Sequence, residues 1–213
     1  LTILLVGRMA ANAYIEILWF ESVGYSSVFW TRVLWEWGAR LIVALLVGVA
    51  CFFNLRFIAR SLGGIKIKRR VGDLVISEQL PQAVVVWSVA IASALIGLWF
   101  GASVPGSMGL SVLYLLNAPD WGVTDPFLGQ DLMFFVILLP LLRALVTLGL
   151  VVFFLIFTLV TAGYAATGAL QWGPGRFVVE KRPRTHLGVI IAAFSVMLAA
   201  QFWLARFVLL LSG

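Results

Sequence analysis

Apolar runs long enough to cross a bilayer limit the folds open to this chain more than any other feature. Residues 41–53, 83–104, 132–162 and 187–211 carry almost no charge. A membrane-crossing helix needs about 20 mostly apolar residues, each rising about 1.5 Å through about 30 Å of hydrocarbon. Hydrocarbon offers no partner to an open backbone, so a helix, which bonds its own, is the expected element. The expectation is an all-α integral membrane protein: a bundle of about five transmembrane helices with a structured outer loop, partly helical around 110–117.

Composition excludes a soluble domain. Charged residues are 11% of the chain and hydrophobic ones 62%, whereas a soluble domain carries about 25% charge. The net charge of +6 does not indicate nucleic acid, because the basic residues form short clusters beside spans rather than a stripe interleaved with exposed aromatics. The single cysteine, Cys51, lies in an apolar run. It rules out a disulfide within the chain and reads as a small buried hydrophobe.

Five spans are expected, over residues 1–20, 28–60, 81–104, 132–168 and 186–211 of a single transmembrane domain. The first contains Arg8, Asn12 and Glu16. The fourth is too long for one straight crossing, and Pro140 is its expected break or kink. The chain opens on leucine, so its true start is expected to be missing or processed.

Positive residues set the orientation. One connector carries Arg56, Arg60, Lys66, Lys68, Arg69 and Arg70, and another carries Arg176, Lys181, Arg182 and Arg184. The connector 105–131 has Asp120, Asp125 and Asp131 but no lysine or arginine. Cytoplasmic loops hold the excess of positive charge. The amino end and both basic loops are therefore expected in the cytoplasm of a bacterial inner membrane, with the acidic loop and the carboxyl end outside. Trp19, Trp30, Trp35, Trp37, Trp99, Trp121 and Trp203 fall near the outer ends of the spans, as an interfacial belt requires.

Several residue groups invite a functional reading, each beside a structural one. Arg32, Glu36 and Arg40 follow at i, i+4, i+8 and share a helix face. They suit a polar path, since charge within a membrane is costly and often functional. They equally suit an interfacial ladder in which Glu36 bridges two arginines, helped by Glu16 and Glu21. Arg143 either snorkels to the outer headgroups or pairs with Glu16 or Glu36. Asn117, Pro119, Gly122, Asp125, Pro126 and Asp131 belong to an outer loop whose carboxylates resemble calcium ligands. Turn formation before Pro126 and capping by Asp131 explain them as well. His186, the single histidine, reads as interfacial packing. Ala90, Ala94, Gly97 and Gly101 form a smooth face for close packing on a helix of this chain or of a partner.

Two strings resemble signatures of a known group. One runs Trp19-Phe20-Glu21-Ser22-Val23-Gly24-Tyr25-Ser26-Ser27-Val28-Phe29-Trp30-Thr31. The other runs Asn117-Ala118-Pro119-Asp120-Trp121-Gly122-Val123-Thr124-Asp125-Pro126-Phe127-Leu128-Gly129-Gln130-Asp131. His186-Leu187, with Arg206 ahead of Leu209-Leu210-Leu211-Ser212-Gly213, adds a third, weaker match. The chain thus resembles uncharacterised protein family 0182, bacterial multi-pass membrane proteins without an assigned function. The resemblance implies a longer polypeptide in which amino-terminal spans precede a large extracytoplasmic domain. This chain would then be a short relative or the membrane part of such a protein. No catalytic residues come with that family.

No phosphate loop or catalytic constellation is present, and no enzymatic activity, cofactor or metal is expected. The expected partners are the lipid bilayer and other membrane subunits or a second copy, and not nucleic acid. The function expected is a non-catalytic scaffold, either an accessory subunit of a larger membrane complex or the anchor of an extracytoplasmic domain. The alternative is a transporter or channel module with a polar path through Arg32, Glu36, Arg40 and Arg143. Against that alternative, neither an inverted repeat nor a pair of interrupted helices is found.

Overall fold

The computed structural model describes residues 2–62, 66–71, 74–79, 81–117, 121–166, 168–173 and 176–209. Helix α1 (Thr2–Ser22) turns into the long α2 (Ser26–Leu62), which leads to a hairpin of β1 (Lys66–Val71) and β2 (Leu74–Gln79). Helix α3 (Gln82–Ala102) returns, and the short α4 (Gly106–Asn117) follows it. A wide π turn (Phe134–Leu138) opens α5 (Leu139–Ala166). A second hairpin, β3 (Leu170–Gly173) and β4 (Arg176–Val179), then leads to α6 (Lys181–Leu209). The architecture is the expected helical membrane bundle, with four helices among the described residues long and apolar enough to cross a membrane: 26–60, 82–103, 134–166 and 181–209. Helix α1 forms where the first span was expected but is not one of those four. It carries Arg8, Glu16 and Glu21, and it packs mainly on α2.

Local chemistry explains the boundaries. Helix α1 ends at Gly24, whose φ of +77° closes it. The Tyr25 amide reaches back to the Phe20 carbonyl (2.9 Å) and the Gly24 amide to Glu21 (3.1 Å). That bonding satisfies carbonyls a helix end would otherwise leave open. Helix α5 stops the same way at Gly168 (φ +73°), where Ala169 reaches Tyr164 (3.1 Å). Pro140 has no amide to donate. The preceding turn widens so that the Leu139 amide bonds Phe134 five residues back, and the helix passes through the proline instead of stopping there.

Two features depart from the sequence reading. Both basic connectors contain antiparallel hairpins, pairing Val71 with Leu74 and Gly173 with Arg176. The Gly72-Asp73 and Pro174-Gly175 between these pairs are turn-prone dipeptides in the sequence, though they lie outside the described residues. Helix α6 also begins five residues earlier than expected, at Lys181 rather than 186. Pro183 falls in its first turn, where the missing amide costs nothing.

The core runs along α2. Val43, Val47, Cys51 and Ile58 are buried against Ile156, Val160 and Tyr164 of α5 and Ile190 of α6. A second cluster at the far end joins Leu139, Leu204 and Phe207. Helices α2 and α5 run parallel: residues 34–47 and 141–148 line one groove, and Ile58 meets Gly163. The two hairpins therefore share one end of the bundle, and α4 and the loop 121–131 lie at the other.

Candidate functional site

The smooth face of α3 packs on α2 of the same chain. A Cβ on Gly97 would collide with the Ala44 carbonyl oxygen, and one on Gly101 would stand 2.6 Å from the Arg40 carbonyl oxygen. Gly48 completes the seam against Ser93 and Gly97. Ala90 is half-buried, but Ala94 is exposed and Ser93 takes the seam position, at 2% exposure. The face expected at Ala94 thus lies one residue earlier, because a serine packs as closely as an alanine while reading as polar.

The charged residues gather at the loop end in a different order from the ladder. Arg32 is the bridge: its Nη2 bonds Glu16 of α1, and its Nε lies 3.8 Å from Glu36. The ring of Phe20 lies 5.6 Å from the Arg32 guanidinium and that of Phe29 5.7 Å, both within cation–π reach. Arg40 does not reach Glu36. Its Nε donates to the Val104 carbonyl (3.2 Å) and its guanidinium sits 5.0 Å over Trp37. It thereby ties the end of α3 to α2. The second side of the Glu36 carboxylate abuts Gly106, where a Cβ would approach it to 3.1 Å. The positive end of α4 favours a carboxylate there. Gly109 then lets α4 lie directly on the Trp35 carbonyl.

Arg143 is exposed on α5 and pairs with neither Glu16 nor Glu36. The expected pair with Glu16 or Glu36 is therefore not formed, because both carboxylates face Arg32.

In the loop 121–131 each described carboxylate binds backbone. Asp125 Oδ2 accepts the amides of Phe127 (3.1 Å) and Leu128 (2.7 Å). Asp131 Oδ1 accepts that of Met133 (2.7 Å) and its Oδ2 that of Gly122 (3.2 Å). Asp131 thus caps the helix that begins after it, and Asp125 closes the turn that Pro126 opens, as the sequence reading expects. Gly122 and Gly129 adopt φ of +67° and +64°, which only glycine takes at little cost. Asn117 bonds its own helix at Leu113 (2.8 Å). Pro119 and Asp120 lie outside the described residues. Among the described residues no group of three metal-ligating side chains forms.

Sequence reasoning passed over one site at the hairpin end. His186 of α6 stands between Asn54 of α2 and Tyr164 of α5. Its Nε2 is 2.9 Å from Asn54 Oδ1, and its Nδ1 is 3.0 Å from the Tyr164 hydroxyl. The Asn54 amide nitrogen donates to the Ala50 carbonyl (2.7 Å), so Oδ1 faces the histidine and can only accept. This assigns the proton to Nε2 and makes Nδ1 the acceptor of the tyrosine hydroxyl. Phe57 packs edge-on to the ring at 4.8 Å. With both nitrogens engaged, the histidine acts as a clasp of three spans and offers no open ligand position. A signal was available: all three residues lie in spans beside the basic connectors.

Between α2, α4 and α5 lies an open groove of about 460 Å³, walled by Leu34, Trp35, Met108, Gly109, Leu141 and Leu145 among others, none of them ionisable.

The model of the uncharacterised protein family UPF0182 matches residues 1–213. The chain belongs to this family. It is similar to a UPF0182 protein of Kocuria rhizophila, 34% identical over 95% of this chain and 20% of that protein. A relative in Geobacter sp. is 31% identical over 94% of the chain and 22% of its own length. One in Mycobacterium tuberculosis is 25% identical over 99% and 21%. The chain therefore spans about a fifth of the length of the curated relatives it matches. No solved structure matches it.

Proposed function

We propose that this chain is a non-catalytic membrane scaffold of the bacterial cytoplasmic membrane. In this reading α1 and the four long helices all cross, the amino end and both basic hairpins lie in the cytoplasm, and the acidic loop lies outside. The scaffold anchors an extracytoplasmic domain or docks on a larger membrane complex. One observation carries this reading: the polar side chains it would need for chemistry or passage are used to hold elements together. Arg32 and Glu36 join α1, α2 and α4, Arg40 ties α3, and Asn54, Tyr164 and His186 clasp α2, α5 and α6. The groove beside the charged cluster is lined by apolar side chains, which opposes ion passage. The five-fold greater length of the relatives fits an anchoring role.

The transport alternative keeps one supporting observation. Arg32 borders two cavities, one of about 560 Å³ with Asn12 and Glu16, the other of about 310 Å³ with Thr31 and Tyr114. Native mass spectrometry of material extracted in mild detergent separates the two. A stoichiometric partner set, together with impaired assembly of Glu36→Gln, is the expected result. A self-contained species whose Glu36→Gln variant assembles normally but loses a solute flux in proteoliposomes would overturn the scaffold.

A further inference from the structure

The loop 121–131 holds the most exposed large hydrophobic side chain among the described residues, Phe127, at 83% exposure. That exposure is imposed by the structure of the loop. Val123 and Asp125 bond across to Leu132 (3.0 Å) and Gln130 (2.8 Å). The turn at its tip is closed by the Gly129 amide on the Asp125 carbonyl (2.9 Å). Leu128, the next residue, packs on the cluster of Leu139, Leu204 and Phe207 at the ends of α5 and α6. The tip is therefore fixed in height against the ends of two helices long and apolar enough to cross a membrane. Beside that cluster, Trp203 and Phe202 are exposed on α6, and Arg206 lays its guanidinium 4.5 Å from the rings of both Trp203 and Phe207. Among the described residues no carboxylate pairs with Arg206.

We infer that this corner of the molecule is a lipid-binding surface. Phe127 and Trp203 enter the acyl–headgroup boundary of the leaflet on the loop side, and Arg206 receives a phospholipid phosphate. Aromatic rings favour that depth. A guanidinium already stacked on an aromatic face is pre-ordered to meet a phosphate. Val136 is also exposed, two residues beyond Phe134, which packs with Leu128 on that cluster, so a bilayer that covers the span 134–166 also meets the loop. A protein domain seated on the loop is the competing occupant.

The full-length protein carrying Phe127→Cys, labelled with an environment-sensitive fluorophore and reconstituted in phosphatidylglycerol-containing vesicles, tests this. Cys51, 1% exposed, is expected to stay unlabelled, which the unsubstituted protein checks. The expected result is strong quenching by a phospholipid bearing its doxyl group near the head of the acyl chain, and weak quenching by aqueous iodide. Arg206→Gln should reduce the doxyl quenching given by a spin-labelled phosphatidylglycerol while leaving the iodide result unchanged. Quenching by iodide alone would place the tip in water. Protection from both quenchers would place it under protein. Either result overturns the inference.

Discussion

Helices α2 and α3 approach through glycine, with backbone against backbone, whereas α5 and α6 approach through long side chains. On the first seam Gly97 and Gly101 lie against the carbonyl oxygens of Ala44 and Arg40. On the second, Phe134 and Phe207 meet edge-on at 4.9 Å, Leu139 and Leu204 are buried beside them, and Gly149 faces the sulfur of Met197. The difference is one of compliance. Lipid tails are as apolar as leucine, so membrane helices associate through close packing and hydrogen bonds rather than through expulsion of water. A seam of backbone has no rotamer with which to yield, while a seam of methionine, leucine and phenylalanine has many. The first seam thus sets the geometry of the bundle, and the second adapts to it.

The sharpest way to break this comparison is Gly97→Ala. A single methyl would meet the Ala44 carbonyl and force α3 away from α2, at about 3 kcal/mol, the upper end of ordinary overpacking costs. Thermal melting in detergent should show the largest loss of this series, and Gly101→Ala should follow it. A melt unchanged by Gly97→Ala would mean that α2 and α3 do not pack as described. Tyr164→Phe comes next. It leaves the half-buried His186 Nδ1 without its donor, and the loss should fall toward the lower end of the about 1–3 kcal/mol that a buried acceptor left unsatisfied costs. A double-mutant cycle between Asn54 and His186 should return a coupling of roughly 0.6 kcal/mol, up to about 1.7, as hydrogen bonds between membrane helices do. Additive single effects would remove the clasp from the account. Smaller again is Gly149→Ala. Its Cβ would come within 3.2 Å of Met197 Sδ, a flexible side-chain end that can move aside, and the expected change in the melt is below about 1 kcal/mol.

The glycine seam was legible in the sequence because its spacing follows the helix period, and a small residue in an apolar span has few other uses. It was misplaced by one residue at Ser93 because a hydroxyl hides a small side chain from a search for apolar ones. The loop carboxylates were legible, Asp125 as a turn former before Pro126 and Asp131 as a cap, since turns and caps are local arrangements. The order of the charged cluster was not legible. Glu36 and Arg40 have ladder spacing, but the Gly24 turn returns α1 so that Glu16 reaches Arg32 first. The histidine clasp was less legible still. Asn54 and His186 are 132 residues apart, and no local pattern reports that three spans bring their polar residues to the same depth. The hairpins were not legible, because Arg69 interrupts the apolar/polar alternation that Ile67 and Val71 would otherwise give β1.

Arg143→Leu should give the smallest effect and sharpens the comparison from the outside. Arg143 is exposed on α5, among the described residues no carboxylate pairs with it, and it lies on the compliant side of the bundle. Replacing it should change the melt in detergent by no more than about 0.5 kcal/mol, as for a surface position away from special contacts. In the bilayer the same change removes a charge that must otherwise reach the headgroups along its own stem, so insertion should be no worse and can improve. A melt unchanged in detergent together with a lost stoichiometric partner in native membranes would assign Arg143 to an intermolecular carboxylate. The outward face of α5, which no described residue requires to be charged, would then be a docking face. A melt lowered by as much as that of Gly97→Ala would instead show that α5 holds its place through charge, and the contrast between a rigid and a compliant seam would fail.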